Sequence, residues 1–438
     1  MVQEAPLPKT PREAAVEVLR RWEKKEGYAQ DLLDLLWSRT AFSRPDKALS
    51  TALVNGAVRR RASLDWVIDS LSPQKQPSVG SIARQILRLA IFQHLYLERI
   101  PDYALVHEAV EFAKLRLSPS EAGYINALLR QVTAAKAKIN WPPADGSPRS
   151  LAVLHSHPEW LLSRWLGRWD LKTVEEICRT DNAPPPIFIR INRLRTTPDR
   201  VWTELTAEGV SLRPVASFPD VFALKGSGPV AELKAFRQGH FQVQDLSTIA
   251  VAAAVEAKPG QTVIDFCAAP GGKMSFLAQA MQNRGTLIAA DLSEERLKAL
   301  QNTVDRLGAS HVRVEKFDLL QAEETLEAPL ADRILLDVPC SNTGVLRRRV
   351  DVRWRLEEKD IVRLASQGRE LLGRAVLWLK TGGSLTYSTC SIETEENEGV
   401  VEGFLKRHPE FRLLRRESRL PSAEGGDGYF FAVIRKVA

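Results

Sequence analysis

From about residue 246 onward the sequence alternates strand-like and helix-like segments, and this alternation constrains the fold more than any other feature. Thr262 to Cys267 reads as a strand, followed by a Gly-rich turn and a helix from about Lys273. Gly285 to Asp291 reads as a second strand. Ser293 to Leu307 is helical, with Leu297, Leu300, Val304 and Leu307 on one side. His311 to Asp318 and Asp332 to Val338 are further strands, and Asp360 to Lys380 is a long helix. Gly383 to Cys390 is a strand, with a helix expected from about Glu393. Strands alternating with helices predict a parallel sheet covered on both faces. Ligands of such sheets bind at the carboxyl ends of the strands.

The preceding sequence differs. Residues 11–140 read as helices. Val16, Leu19, Trp22, Leu32, Leu33 and Leu36 recur at helical intervals. Ile82, Ile86, Leu89 and Ile91 to Leu95 form a second apolar stripe, and Val106, Val110 and Ala113 a third. Pro101 and Pro119 fall between helical stretches. Residues 141–150, WPPADGSPRS, lack periodicity and read as a linker. Residues 151–245 are mixed, with an alternating strand at Ile187 to Asn192 and a helix from about Pro198 to Gly209. The expected domains are 1–142, 148–245 and 246–438.

The 438 residues exceed what one core usually serves. Residues 1–150 hold 22 Lys+Arg against 16 Asp+Glu, an excess of +6 out of +7 for the whole chain. A basic helical third suits a polyanionic partner, although a solvated helical surface explains the charge equally well. Four cysteines, Cys178, Cys267, Cys340 and Cys390, are too few for a disulfide framework and lack zinc-ligand spacing. The N-terminus lacks the apolar core of a signal peptide, and the Leu89 to Leu97 run is too short to span a bilayer. A cytoplasmic setting with free thiols is expected.

The turn Cys267-Ala268-Ala269-Pro270-Gly271-Gly272-Lys273 lets the backbone approach a ligand and enter a helix whose first N–H groups are free. It is not the dinucleotide pattern G-x-G-x-x-G, and alone it is weak evidence. Asp291, about 20 residues beyond the glycines at the next strand end, suits ribose hydroxyls. Asp318 ends the third strand, and by position we expect it near an adenine. Helix capping is the commoner role for either aspartate taken singly. Together with the turn they favour an adenosine-type cofactor.

Two further strand ends carry Asp337-Val-Pro-Cys340-Ser-Asn-Thr-Gly344 and Thr386-Tyr-Ser-Thr-Cys390-Ser391. A single buried cysteine is usually an inert small hydrophobe. Two in polar surroundings fit that reading poorly. Carbon 5 of cytosine is a weak nucleophile; a thiolate adding to carbon 6 activates it, and a carboxyl group at N3 favours the addition. A thiol with a pKa of about 8.5 needs local activation, by a sulfonium or by Lys273. Which cysteine attacks is open at this level. Enzymes that methylate exocyclic amines on similar folds commonly carry an aromatic after Asp/Asn-Pro-Pro; here Cys340 stands instead.

The motifs CAAPGGK (267–273), DVPCSNTG (337–344) and TYSTCS (386–391), in this order, resemble those of the RNA cytosine-5 methyltransferases, notably bacterial members acting on 16S rRNA. The resemblance covers essentially the whole chain. It implies a multidomain α and α/β protein: an all-helical NusB-like RNA-binding domain, a mixed α/β linking domain and a Rossmann-like class I methyltransferase domain. It further implies S-adenosyl-L-methionine as cofactor, bound by residues 267–273, Asp291, Asp318 and Asp337. Cys390 would be the nucleophile, Cys340 would assist release, and Asp337 would lie near cytosine N3. Arg190, Asn192 and residues 241–245 resemble positions near the active site. Asn342 departs from the family pattern, in which a small residue follows Pro-Cys-Ser, and 347–351 lacks an expected His-Pro.

RNA is the expected partner, in a monomer with neither membrane nor metal. The run Arg347-Arg348-Arg349 with Arg353-Trp354-Arg355 combines cations and an aromatic beside an active-site motif and is a candidate RNA contact. Competing readings are a tRNA substrate, an RNA-binding module with a dead methyltransferase domain, and a nucleotide-dependent oxidoreductase. The intact cysteine pair argues against the second, and the missing G-x-G-x-x-G against the third.

Overall fold

The computed structural model describes residues 7–72, 80–97, 100–134, 139–226, 228–321, 326–423 and 425–437. The helical reading of 73–79, 98–99 and 135–138 lies outside the described residues, as does the start of the chain. Two compact units emerge: Met1–Asn182 with Arg349–Arg355, and Ala183–Arg348 with Leu356–Ala438.

The first unit is helical. Its helices include Pro11–Glu23, Ala29–Ser38, Arg44–Arg59, Arg61–Leu71, Ser81–Tyr96, Asp102–Arg116 and Pro119–Ala134. Thr10 and Ser43 cap two of them, each followed by a proline in the first turn, where its missing N–H costs nothing. The run Gln85–His94 is buried on every side, so Ser81–Tyr96 is the central helix. Of the third stripe, Ala113 is buried, whereas Val106 and Val110 are only partly covered. The expected linker, 141–150, is cut short: its last three residues open helix Pro148–His155, which Ser147 caps.

The segment Arg349–Arg355 is part of this helical unit. Val350 joins its core, and Trp354 packs against it and donates its indole N–H to the Val58 carbonyl at 2.7 Å. Asp351 accepts the Ala29 N–H at 2.9 Å. Arg353 is fully buried and donates to the Ser156 and Asp181 carbonyls and to Asn182 Oδ1. Burial lowers its pKa to about 10. The expected RNA contact is therefore corrected for Arg353 and Trp354, whose side chains are spent on the helical core.

The second unit begins with a four-stranded antiparallel sheet ordered β2-β3-β1-β4. Its strands are β1 (Ile187–Ile191), β2 (Ser211–Val215), β3 (Phe218–Lys225) and β4 (Phe241–Val243). β1 was expected to alternate, yet Phe188 to Ile191 are all buried. One of its faces packs on Val201 and Leu205 of helix Pro198–Ala207, the other on Leu246 and Ile249. β2 to β4 escaped the sequence pattern. Pro214 and Pro219 interrupt two of them, and β4 has three residues.

Seven strands follow: β5 (Thr262–Phe266), β6 (Thr286–Asp291), β7 (Val312–Lys316), β8 (Ala331–Asp337), β9 (Leu379–Thr389), β10 (Phe411–Arg419) and β11 (Tyr429–Lys436). Their order is β10-β11-β9-β8-β5-β6-β7, and only β11 runs against the others. Successive residues of the central strands face opposite cores. Val263, Leu287 and Leu335 meet helices Leu246–Ala254, Gly272–Ala280 and Glu294–Leu307. Ile264, Ile288 and Ile334 meet Glu358–Ala375 and Glu398–Arg407. Burial on both faces explains the unbroken apolar runs. The chain leaves β5 toward β6 on one side and returns to β8 on the other, which opens a crevice at the carboxyl ends of β5 and β8. Among the described residues, no helix is long and apolar enough to cross a membrane.

Candidate active site

The cofactor turn leaves β5 at Cys267, whose φ is +61°, and ends at Gly271, whose φ is +99°. A side chain at Gly271 would be strained, and its Cβ would stand 2.8 Å from Leu300 Cδ1. Gly271 is the N-cap of helix Gly272–Ala280, so the free N–H groups of its first turn open at the end of β5. Arg296 donates to the Ala269 carbonyl at 2.6 Å and Thr303 to that of Pro270 at 3.0 Å, so helix Glu294–Leu307 braces the turn.

Asp291 ends β6 and is nearly fully buried. Its carboxylate accepts the Ala269 N–H and the Ser293 N–H, each at 3.2 Å, and pairs with Arg296 at 3.3 Å. It is thus part of the turn's framework as well as a strand-end acid. Asp318 lies two residues beyond the end of β7 and accepts the Leu320 N–H at 3.0 Å. Asp265, inside β5, was not singled out from the sequence. It is fully buried, and neither carboxyl oxygen has a hydrogen-bond partner in the protein. Burial holds its carboxyl well above the usual range, against the pull of the Lys273 cation.

Lys273 Nζ lies 2.6 Å from Asp337 Oδ2, and Ser388 Oγ donates to Asp337 Oδ1 at 2.7 Å. Burial works against the charge on Lys273, but Asp337 outweighs it and keeps the ammonium more basic than usual. The Cys390 sulfur also acts on that ammonium electrostatically.

The two cysteines at the ends of β8 and β9 come together with their Sγ atoms 3.3 Å apart, as free thiols. Asn342 joins them. Its backbone has φ +59°, a left-handed conformation that asparagine tolerates. Its Nδ2 donates to the Cys340 carbonyl at 2.7 Å, and its Oδ1 accepts from the Cys390 thiol at 3.1 Å. The position that departs from the family pattern therefore touches the pair directly. Gly344 N–H donates to the Cys390 carbonyl at 2.9 Å, and a Cβ on Gly344 would stand 2.7 Å from that oxygen. The hydrogen bond to Cys390, reinforced by burial, pushes the Cys340 thiol well up. Burial, with Asp291 and Asp337 nearby, pushes Cys267 up to about 12. Burial also raises Cys178, which lies in the other unit. Cys178 is buried and Cys267 half-buried, and neither lies in the thiol pair.

The remaining candidates support this site. Arg190 is buried and donates to Gln244, Gln279 and Ser275, the last two on the helix that follows the cofactor turn. Burial brings its pKa down to about 10. Asn192 Nδ2 donates to the Gly239 and Leu307 carbonyls, each at 2.8 Å. Asp245 caps helix Leu246–Ala254. Arg347 and Arg348, expected on RNA, pair with Asp427 at 2.5 and 2.6 Å, and Arg348 reaches Asp245 at 2.6 Å. Arg347 is buried, so its expected RNA contact is corrected too. Among the described residues, no group of three or more His, Cys, Asp or Glu could hold a metal ion.

A sheet in this order, with helices on both faces and the Gly turn at its switch point, defines a Rossmann-like methyltransferase domain. The model of 16S rRNA methyltransferase RsmB/F matches residues 252–434, that of the NusB family residues 9–134, and that of the RsmF/B-like ferredoxin-like domain residues 157–231. A probable ribosomal RNA small subunit methyltransferase B of Bacillus subtilis is 34% identical over 97% of this chain and 98% of its own. A ribosomal RNA small subunit methyltransferase B of Serratia proteamaculans is 32% identical over 90% and 92%. The crystal structure of PH0851 is 28% identical, with a TM-score of 0.81 over 99% of this chain and 100% of that one. The chain belongs to the 16S rRNA methyltransferase RsmB/F family, whose members are S-adenosylmethionine-dependent rRNA methyltransferases.

Proposed function

We propose that this protein transfers a methyl group to carbon 5 of a cytosine in small-subunit rRNA through a covalent bond between Cys390 and the base. The observation that carries this reading is the contact between two free thiols, 3.3 Å apart, at the ends of adjacent strands beside the Lys273–Asp337 pair. Methyl transfer to an exocyclic amine needs no such pair.

The residues around the turn fit S-adenosyl-L-methionine. Gly272 leaves the backbone open, the helix N-terminus suits a carboxylate, and Asp291 suits a ribose. The unpartnered carboxyl of Asp265 is fully buried close to Lys273, Asp337 and Asp291. Residues 267–273, Asp291, Asp318 and Asp337 would hold the cofactor, which when bound supplies an electrophilic methyl group.

The chain's own residues handle the base. The target cytosine must be unpaired or flipped out for carbon 6 to be reached. Cys390, half-buried and beside the Lys273 cation, adds as thiolate to carbon 6. Asp337 lies near N3 and favours the addition by donating a proton there, since N3 is itself an acceptor and takes no hydrogen bond from a carboxylate. Addition makes carbon 5 nucleophilic. Once carbon 5 carries the methyl group, its proton must leave before the sulfur can. A base takes that proton, the carbon 5–carbon 6 double bond re-forms and the Cys390 sulfur leaves; Cys340, in contact with Cys390 and strongly basic once deprotonated, assists that release.

Transfer of labelled methyl from S-adenosylmethionine to unmodified small-subunit rRNA, with nucleoside mass spectrometry of the product, tests the reading. Labelled 5-methylcytosine at one site is the expected product. Label found only in tRNA would keep the mechanism and change the substrate; label on an amine nitrogen would overturn the thiol mechanism.

A further inference from the structure

Glu396 has no part in the reaction just described, yet it is buried beside it with only 1% of its surface exposed. One of its carboxylate oxygens, Oε1, accepts the Ser341 N–H at 2.8 Å. The other, Oε2, accepts the Ser341 hydroxyl at 2.5 Å and also the Ser391 hydroxyl. Ser341 directly follows Cys340, and Ser391 directly follows Cys390. A single carboxylate therefore ties together the two residues next to the two thiols.

The rest of the segment serves the same turn. The Glu396 carbonyl accepts the Tyr387 hydroxyl at 2.7 Å. Asn397 Nδ2 donates to the Ser391 carbonyl at 2.9 Å, and its Oδ1 accepts the Thr389 hydroxyl at 2.6 Å. Helix Glu398–Arg407 starts only after these contacts are made, five residues later than the sequence pattern expects. Burying a carboxylate is costly unless its oxygens are satisfied, and here three donors from the two cysteine loops satisfy them.

We propose that Glu396 is the positioning residue that sets the Cys340–Cys390 distance, through Ser341 and Ser391. This rests on the two-thiol reaction proposed above. Its own geometry can be read without that reaction. Diamide takes two electrons from a thiol pair: both S–H bonds break, one S–S bond forms, and the two protons pass to the N=N bond of the oxidant. The rate of Cys340–Cys390 cross-linking thus reports how often the sulfurs meet, whatever the enzyme's substrate.

The test compares the full-length protein with Glu396→Ala, Glu396→Gln and Ser391→Ala. Glutamine keeps an acceptor for the Ser341 N–H and can donate to the serine oxygens, so it should restore most of what alanine loses. For Glu396→Ala we expect cross-linking slowed about tenfold and kcat lowered about 100-fold, with KM for S-adenosylmethionine nearly unchanged. Ser391→Ala, which removes one donor, should slow cross-linking about threefold. If Glu396→Ala does not fold, the glutamine and serine variants decide. Cross-linking at the wild-type rate in Glu396→Ala or Ser391→Ala, or a glutamine variant as impaired as alanine, overturns the proposal. A wild-type protein inactive on every RNA would instead sink the two-thiol reaction, and the cross-linking rates would still judge Glu396.

Discussion

The cofactor turn and the thiol pair occupy ends of neighbouring strands but are built in opposite ways. The turn is seven contiguous residues, 267–273, with Cys267 and Gly271 at positive φ, and its outside braces, Asp291, Arg296 and Thr303, come from one neighbouring strand and helix. The pair joins residues 50 positions apart. Its geometry depends on an amide from Asn342, a carboxylate from Glu396 and the close backbone approach at Gly344. A local site tolerates change in its surroundings and fails when its own residues change. A distributed site can fail from several places that never touch the substrate.

The largest expected effects separate the two thiols within the pair. Cys390→Ala should abolish both methyl transfer and covalent capture of RNA. Cys340→Ala should leave RNA trapped on the protein, seen as a slow band on a denaturing gel. Capture that survives in Cys390→Ala would reverse the two roles.

Gly271→Ala probes the turn. Positive φ and a 2.8 Å approach to Leu300 make the substitution strained, at a cost of about 1–3 kcal/mol. The expected outcome is weaker S-adenosylmethionine binding by calorimetry, with diamide cross-linking of Cys340 and Cys390 unchanged. A loss of cross-linking would show that turn and pair are one structure.

Asn342→Ala removes two hydrogen bonds, to the Cys390 thiol and the Cys340 carbonyl, each worth about 1 kcal/mol. We expect kcat to fall several-fold while cofactor binding stays constant. An unchanged kcat would make Asn342 a bystander.

The smallest effect is a difference in labelling. At pH 8 iodoacetamide should modify Cys390 first, because the other three thiols are buried or raised by their surroundings. A thiol whose pKa is raised stays protonated at pH 8. Cys267, at about 12, should therefore react faster with each unit of pH up to that value. Mass spectrometry of the labelled peptides at several pH values checks this, and early labelling of Cys267 would contradict its raised pKa.

The sequence made the alternating half of the molecule legible because burial on both faces of a parallel sheet writes continuous apolar runs. It did not reveal β2 to β4, in which prolines and short length erase the pattern, nor β10 and β11. Arg347 and Arg353 misled for a related reason. Basic side chains beside a motif suggest a surface, yet both are buried on carboxylates or carbonyls supplied by distant residues. Charge is visible in a sequence; the partner that neutralises it is not.

What the sequence by itself determined is everything carried by contiguous residues: the Gly turn, the strand-end aspartates, the presence of two cysteines in polar surroundings, and the family. Such features follow from local backbone preference and periodicity. What only the tertiary structure decided is the 3.3 Å meeting of Cys340 and Cys390, the unpartnered Asp265, and the place of Glu396 between the two loops. Those depend on which strands become neighbours, and strand order is fixed by packing and crossover connections rather than by any one segment of the chain.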